Sequence, residues 1–298
     1  MGVWQWLQTI FSEGGDRLTD KQLTRLKNFA QAVKTATARQ VIHIQALPSA
    51  NLSITDSKFG GIPYLPKGAT LPTARNGKPL FMLAQINCEQ LPENSIYPKK
   101  GLLQFWIADS EDPLYGLDYD DPCSNDNKRV LYYPTIGEAL PIDDFIDDYT
   151  FDNENLPFDS GKQFALHFKK DTESISLEER AATQLFFEKW NEAFSTQITT
   201  IDEFFEEVPN DICEEINASL LKEPTGHKIG GYPYFIEYDP REENDPHTLL
   251  LLQIDIDNVE GEEICWGNGG GVANFFISPE DLKNYKFDDV LFHWEDNY

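Results

Sequence analysis

Basic residues are scarce in this 298-residue chain: 24 Lys and Arg stand against 51 Asp and Glu, a formal net charge of −27. Contact with a phosphate backbone is driven by Lys and Arg releasing counterions, so neither nucleic acid nor an anionic membrane is an expected partner. An acidic surface of this kind instead keeps a chain soluble and steers basic partners toward it. Cysteine is scarce too. Cys88, Cys123, Cys213 and Cys265 form no C-x-x-C pair and are too few to frame a chain of this size, so they read as reduced thiols. Apolar runs such as residues 248–256 stop far short of the ~20 residues that a bilayer span needs. The first seven residues lack the basic region and small-residue cleavage site of an export signal, which makes cytoplasm the expected compartment.

Motifs of known chemistry are also missing. The histidines, His43, His167, His227, His247 and His293, have neither H-x-x-x-H nor H-E-x-x-H spacing, so local sequence indicates no zinc site. A site assembled from distant residues stays open. There is no G-x-S-x-G and no cysteine in a recognisable nucleophile context. Acidic stretches such as Asp118-Tyr119-Asp120-Asp121-Pro122 lack the Gly and Glu positions of an EF-hand loop and read as solvated loops. No catalytic residue, metal or cofactor is therefore expected.

What is present is enough apolar residue, 40% with 13% aromatic, to fill a sizeable core. Val3, Trp4, Leu7, Ile10 and Phe11 fall at helical spacing, and a second helix is expected from Thr19 or Asp20 to about Arg39. Strand periodicity follows over 41–45, 79–87, 101–107, 129–133 and 163–168, and returns over 234–238, 249–257, 272–277 and 290–294. Between these lies a helical, acidic stretch over 172–222. Its start signals are Ser176…Glu179 and Thr200…Glu203, in which a hydroxyl and a carboxylate three residues apart satisfy free backbone amides. Ser278-Pro279 marks one more helix start.

The chain also repeats itself. Ser57-Lys58-Phe59-Gly60-Gly61-Ile62-Pro63-Tyr64 matches His227-Lys228-Ile229-Gly230-Gly231-Tyr232-Pro233-Tyr234 at five of eight positions, offset by 170. Downstream, Leu83-Ala84-Gln85-Ile86-Asn87 matches Leu251-Leu252-Gln253-Ile254-Asp255, and the strand after Gly101 matches that after Gly271. These matches predict an α+β fold of two pseudosymmetric strand-rich modules made by internal duplication. N-terminal helices over 1–40 precede module one over 41–171, a helical connecting segment over 172–224, and module two over 225–298, all expected to pack as one compact structural unit. Gly60, Gly61 and Pro63, with Gly230, Gly231 and Pro233, are expected to fix a turn leading into each module's strands. Neither copy continues into the helix start that a phosphate cradle needs.

Alternation along a strand puts Gln85 and Asn87 on one face, and Gln253 and Asp255 on one face of the second copy. Two readings follow. Either these groups bond to neighbouring loops or to each other near a pseudo-twofold axis, or Gln85, Gln253 and Asp255, with Trp266 from the string Trp266-Gly267-Asn268-Gly269-Gly270-Gly271, line a binding cleft between the modules.

The two Gly-Gly-x-Pro motifs, the Gln-bearing strands, the run from Gly101 to Trp106 and the Trp266-Gly267 pair together resemble the YwqG-like family, also called domain of unknown function 1963. The resemblance runs from about residue 20 to the end. It implies a bacterial protein with a mixed α+β fold, internal pseudosymmetry and no established activity, in a family whose members neighbour toxin and immunity genes. The sequence departs from the family at Asn268, where an Asp is usual, and at its end, where many relatives carry a Cys after the final Trp-Asp. The expected function is thus a non-enzymatic cytoplasmic binding protein of immunity type, whose acidic surface meets a basic protein partner such as a toxin domain. The alternative is a small-molecule enzyme or sensor using the inter-module cleft.

Overall fold

The computed structural model describes residues 19–110, 114–220 and 223–296. The helix expected over 1–14 lies outside them. The chain divides into two compact units, one of Met1–Arg39, Thr172–Pro224 and Gly231–Phe235, the other of Gln40–Asp171, Thr225–Gly230 and Ile236–Tyr298.

The first unit holds α1 (Asp20–Ala36), α2 (Arg180–Phe194), α3 (Ile201–Glu207) and α4 (Asn210–Ser219). α1 starts at a reciprocal cap in which the Thr19 hydroxyl accepts from the Gln22 amide while the Gln22 side chain accepts from the Thr19 amide. Residues three and four apart then bury Leu26, Phe29, Ala30 and Val33. Phe29 meets Phe186, Trp190 and Phe194 of α2 edge to face, with ring centroids 6.1, 5.4 and 5.2 Å away. The Thr200…Glu203 signal is a full capping box opening α3. The Ser176…Glu179 signal is not one. α2 starts only at Arg180, and the Glu179 carboxylate pairs with the Arg39 guanidinium at 2.6 Å.

Apart from Arg39, Thr172 and Glu173 at two strand ends, the second unit holds β1 (Arg39–Pro48), β2 (Lys58–Gly60), β3 (Phe81–Asn87), β4 (Leu102–Ile107), β5 (Lys128–Tyr133), β6 (Gln163–Glu173), β7 (Lys228–Gly230), β8 (Leu249–Asp255), β9 (Asp257–Val259), β10 (Glu262–Ile264), β11 (Gly271–Ile277), α5 (Pro279–Lys283) and β12 (Val290–Asp296). β9 and β10 form a hairpin by themselves, and the other ten strands make one sheet in the order β12-β11-β8-β7-β1-β6-β2-β3-β4-β5.

This corrects the expected fold class. The chain is mostly sheet, with five short helices among the described residues, and does not form an α+β pair of modules joined by a helical insertion. The matched segments lie in one sheet, β2, β3 and β4 on one side of the central β1–β6 pair and β7, β8 and β11 on the other. The physical reason is edge pairing. β2 and β7 are three residues long and would be bare edges if each half closed alone, but β6 pairs with β2 and β1 with β7, both antiparallel. Periodicity marks a strand without naming its partner.

The sheet curls toward closure. Phe105 of β4 and Phe275 of β11 meet with ring centroids 5.0 Å apart. The outermost strands also converge: Lys128 Nζ of β5 donates to the Val290 carbonyl of β12, and the Phe292 amide donates to the Pro122 carbonyl at 3.0 Å. Every residue of β3, β4 and β11 is buried, as strands covered on two faces require. The strand expected over 234–238 does not form. The amides of Ile236 and Glu237 donate instead to the Glu295 carboxylate of β12, so they are lost to any ladder.

Candidate functional site

Gln85 and Gln253 are fully buried, on β3 and β8, which stand five places apart in the strand order. At ~4.8 Å per strand that is about 24 Å along the sheet. Each serves its own neighbourhood. The Gln85 oxygen accepts from the Tyr64 amide at 3.1 Å and from Gln104 Nε2 at 2.8 Å, and its Nε2 donates to the Ile54 and Asp56 carbonyls, both at 2.9 Å. This is the full capacity of an amide side chain, two donors and two acceptors. Gln104, directly opposite on β4, donates to the Tyr64 carbonyl at 2.7 Å. The two glutamines therefore take both backbone groups of Tyr64, as a neighbouring strand would.

The second copy does the same for Gly226. Gln253 Nε2 donates to its carbonyl at 2.8 Å and Asp255 Oδ2 accepts from its amide at 2.6 Å. A further parallel joins the copies: Ser57 Oγ accepts from the Asn87 amide at 2.8 Å, and His227 Nδ1 accepts from the Asp255 amide at 3.0 Å. That bond leaves the proton on His227 Nε2, which faces Asp257 Oδ2 at 3.3 Å, and the hydrogen bond from His227 holds the Asp257 carboxyl below its ordinary range.

Trp266 is also fully buried, packed edge to face on Tyr115 at 5.0 Å, and Tyr115 in turn meets Trp294 at 4.9 Å. The Asn268 side chain is exposed while its amide donates to Asp296 Oδ2 at 3.1 Å. The carboxylate at this turn therefore comes from Asp296.

Gly60, Gly61, Gly230 and Gly231 all have positive φ, between 63° and 72°. Pro63 and Pro233 follow them, and the lysine ahead of each pair is buried. Burial pushes the Lys58 ammonium down to about 8, with Asp56 acting in the opposite direction. Between about pH 8 and the ordinary 10.5 of the unfolded chain, the unfolded state holds the extra proton, so this group makes stability rise with pH. Relative to Lys58→Met, the wild-type protein should gain about 1 kcal/mol between pH 7 and pH 9 in urea unfolding. A constant difference between the two proteins would show that Lys58 titrates normally.

An open concavity of the sheet unit, of about 940 Å³, lies elsewhere, beside the first Gly-Gly turn. Gly61, Ile62, Tyr149, Phe151 and Phe164 wall it, and the Lys162–Glu262 ion pair, 2.6 Å long, stands at its rim. None of Gln85, Gln253, Asp255 and Trp266 lines it.

One group of side chains among the described residues could share a metal ion: Cys123, His247 and Asp289. Burial first, then the Asp289 carboxylate, pushes the Cys123 thiol up to about 12, the reverse of what an activated nucleophile needs. Sequence spacing misses this group because 124 residues separate Cys123 from His247.

Fold and site together define a curled antiparallel-sheet protein in which repeated buried polar side chains hold the loops that enter its turns. The chain belongs to the family described as a domain of unknown function (DUF1963), whose family model matches residues 57–295. No curated protein matches it. No helix among the described residues is long and apolar enough to cross a membrane.

Proposed function

We propose that the protein is a non-enzymatic binding protein whose acidic surface docks a basic protein domain, with α3 and α4 as the contact. The observation that carries this reading is local. Asp202, Glu203, Glu206, Glu207, Asp211, Glu214 and Glu215 occur within this short stretch without a Lys or Arg, and Phe205 among them is 58% exposed. Phe204 beside it is buried in the helical core, so the exposed ring is not needed to hold α3 in place. A solvent-facing aromatic ringed by one sign of charge has the anatomy of an interface anchor with a steering rim.

The test places a photo-crosslinking amino acid at position 205, with Lys27 on α1 as control site, in lysate of the cells that encode the protein. The expected result is a basic partner captured at 205 and not at 27, with Glu206→Lys/Glu207→Lys lowering its affinity about tenfold or more and added salt weakening it further. Equal capture at both positions, or binding indifferent to the charge reversal, would refute the reading.

A further inference from the structure

Three loops meet where the outermost strands of the sheet converge: the loop leading into β5 carries Cys123, the loop ahead of β8 carries His247, and the residue before β12 is Asp289. Their donor atoms all lie within 4.8 Å of one another. Cys123 Sγ stands 3.7 Å from His247 Nε2, and Asp289 Oδ1 stands 3.2 Å from the same nitrogen. Zinc bonds of ~2.3 Å to sulfur, ~2.05 Å to imidazole and ~2.0 Å to carboxylate, at tetrahedral angles, put sulfur and nitrogen about 3.6 Å apart and nitrogen and oxygen about 3.3 Å apart. The observed separations match both.

The histidine is held for this task. Its Nδ1 is 2.7 Å from Asp245 Oδ1, and because a carboxylate only accepts, Nδ1 carries a proton, so Nε2, which faces Cys123 and Asp289, is the nitrogen that would give its lone pair to a metal. Asp245 also accepts from the His247 amide at 2.8 Å. Arg241, clamped by Asp239 at 2.8 and 2.9 Å, donates to the His247 carbonyl at 3.3 Å. A carboxylate behind a histidine, fixing its tautomer and raising its basicity, is the usual support of a metal-bound imidazole. On the opposite side the Cys123 backbone is fixed as well: its amide donates to Asp121 Oδ1 at 3.2 Å and its carbonyl accepts from Lys128 Nζ at 3.0 Å. Two of the three electron-rich atoms are thus held on fixed supports, and the third comes from the Asp289 side chain just before β12.

The geometry points to a zinc-type site made by Cys123, His247 and Asp289, with Asp245 positioning the histidine. His247 is buried while the Asp289 side chain is 58% exposed, so the fourth coordination position opens to solvent and takes water or a ligand group. Bound metal would tie the approach to β5 to the start of β12, at the seam that hydrogen bonds between those strands' neighbourhoods already draw together.

The experiment uses the full chain, stripped with a chelator and titrated with Co(II) and then Zn(II). One Co(II) per chain is expected, with a thiolate-to-cobalt charge-transfer band that zinc abolishes. Cys123→Ser should remove the band and weaken zinc binding by more than about 100-fold, Asp245→Asn should weaken it about 10- to 100-fold with unchanged stoichiometry, and Cys265→Ser should leave both untouched. Far-UV circular dichroism checks folding of each variant. If Cys123→Ser does not fold, Asp289→Asn, at an exposed position, supplies the comparison and should weaken zinc more than about tenfold. Absence of the thiolate band in the wild-type protein, its survival in Cys123→Ser, its loss in Cys265→Ser, or undiminished zinc binding by Asp289→Asn overturns the assignment.

Discussion

A Gln85→Met protein is expected to lose about 4 kcal/mol of stability, close to the whole of what a marginal domain possesses. Methionine matches the volume of glutamine, so the loss comes from hydrogen bonding rather than from a cavity. Four hydrogen bonds are lost at once, and the Tyr64 amide and the Asp56 carbonyl lose their side-chain partner, while the Ile54 carbonyl keeps Lys58 Nζ at 3.4 Å and Gln104 Nε2 keeps the Tyr64 carbonyl. An orphaned buried polar group costs about 1–3 kcal/mol, and partial relaxation of the loop around Ile54 reduces the sum. Gln104→Met breaks three bonds rather than four, those to the Tyr64 carbonyl and Gln85 Oε1 and the one from Trp106 Nε1, so it should cost less, and the double variant should lose less than the two singles added together, because the two side chains share Tyr64 and bond each other. Urea unfolding followed by tryptophan fluorescence measures all three. A loss below 1 kcal/mol for Gln85→Met would mean that the loop through Ile54 and Asp56 finds other partners easily.

Gly60→Ala should destabilise by about 3 kcal/mol, in contrast to about 1 kcal/mol for Gly68→Ala. Both glycines have positive φ, 63° and 83°, so both substitutions carry the left-handed penalty of an L side chain. Only at Gly60 does the new Cβ also meet fixed atoms, the Lys162 carbonyl oxygen at 2.6 Å and Phe158 Cε2 at 2.8 Å, whereas nothing lies within 4 Å of it at Gly68. The difference between the two variants isolates close approach from backbone strain. Equal midpoint shifts in thermal or urea unfolding would show that β2 and β6 can separate without loss.

These two variants also mark how far the sequence could be read. Gln85 and Gln253 stand out as amides within apolar strands, and the Gly-Gly pairs stand out by recurring, because both signals are local. Their partners are not legible, since nothing near Gln85 in the chain distinguishes Tyr64, Ile54 and Asp56 as the groups it holds. Thr200 and Ser278 announce their helices through side chains that reach only three residues ahead. The merging of ten strands into one sheet is invisible for the opposite reason, because it depends on β1 and β6 lying between segments that match each other. Trp266 misleads in its own way. Its glycine-rich neighbours suggest an exposed loop, yet a Cβ at Gly271 would meet the Glu295 carbonyl oxygen at 2.5 Å and Trp266 Cβ at 2.8 Å, so this glycine serves close packing in the core. Cys123, His247 and Asp289 show no pattern at all until the loops close.

The pairing at the centre of the sheet bears on how the chain is made. β1 finds its β7 partner through Val41 opposite Gly230, a contact between the early and late parts of the sequence. At ~5–20 residues per second on a ribosome, β1 waits about 10–40 s before that partner has been synthesised. During that interval one side of β1 carries unpaired amides and carbonyls, with Val41, Ile42 and Ile44, all buried in the finished protein, still able to bind another chain. The sheet is therefore completed across β1 only late in synthesis, and until then this edge is the part of the nascent chain most open to pairing with another strand.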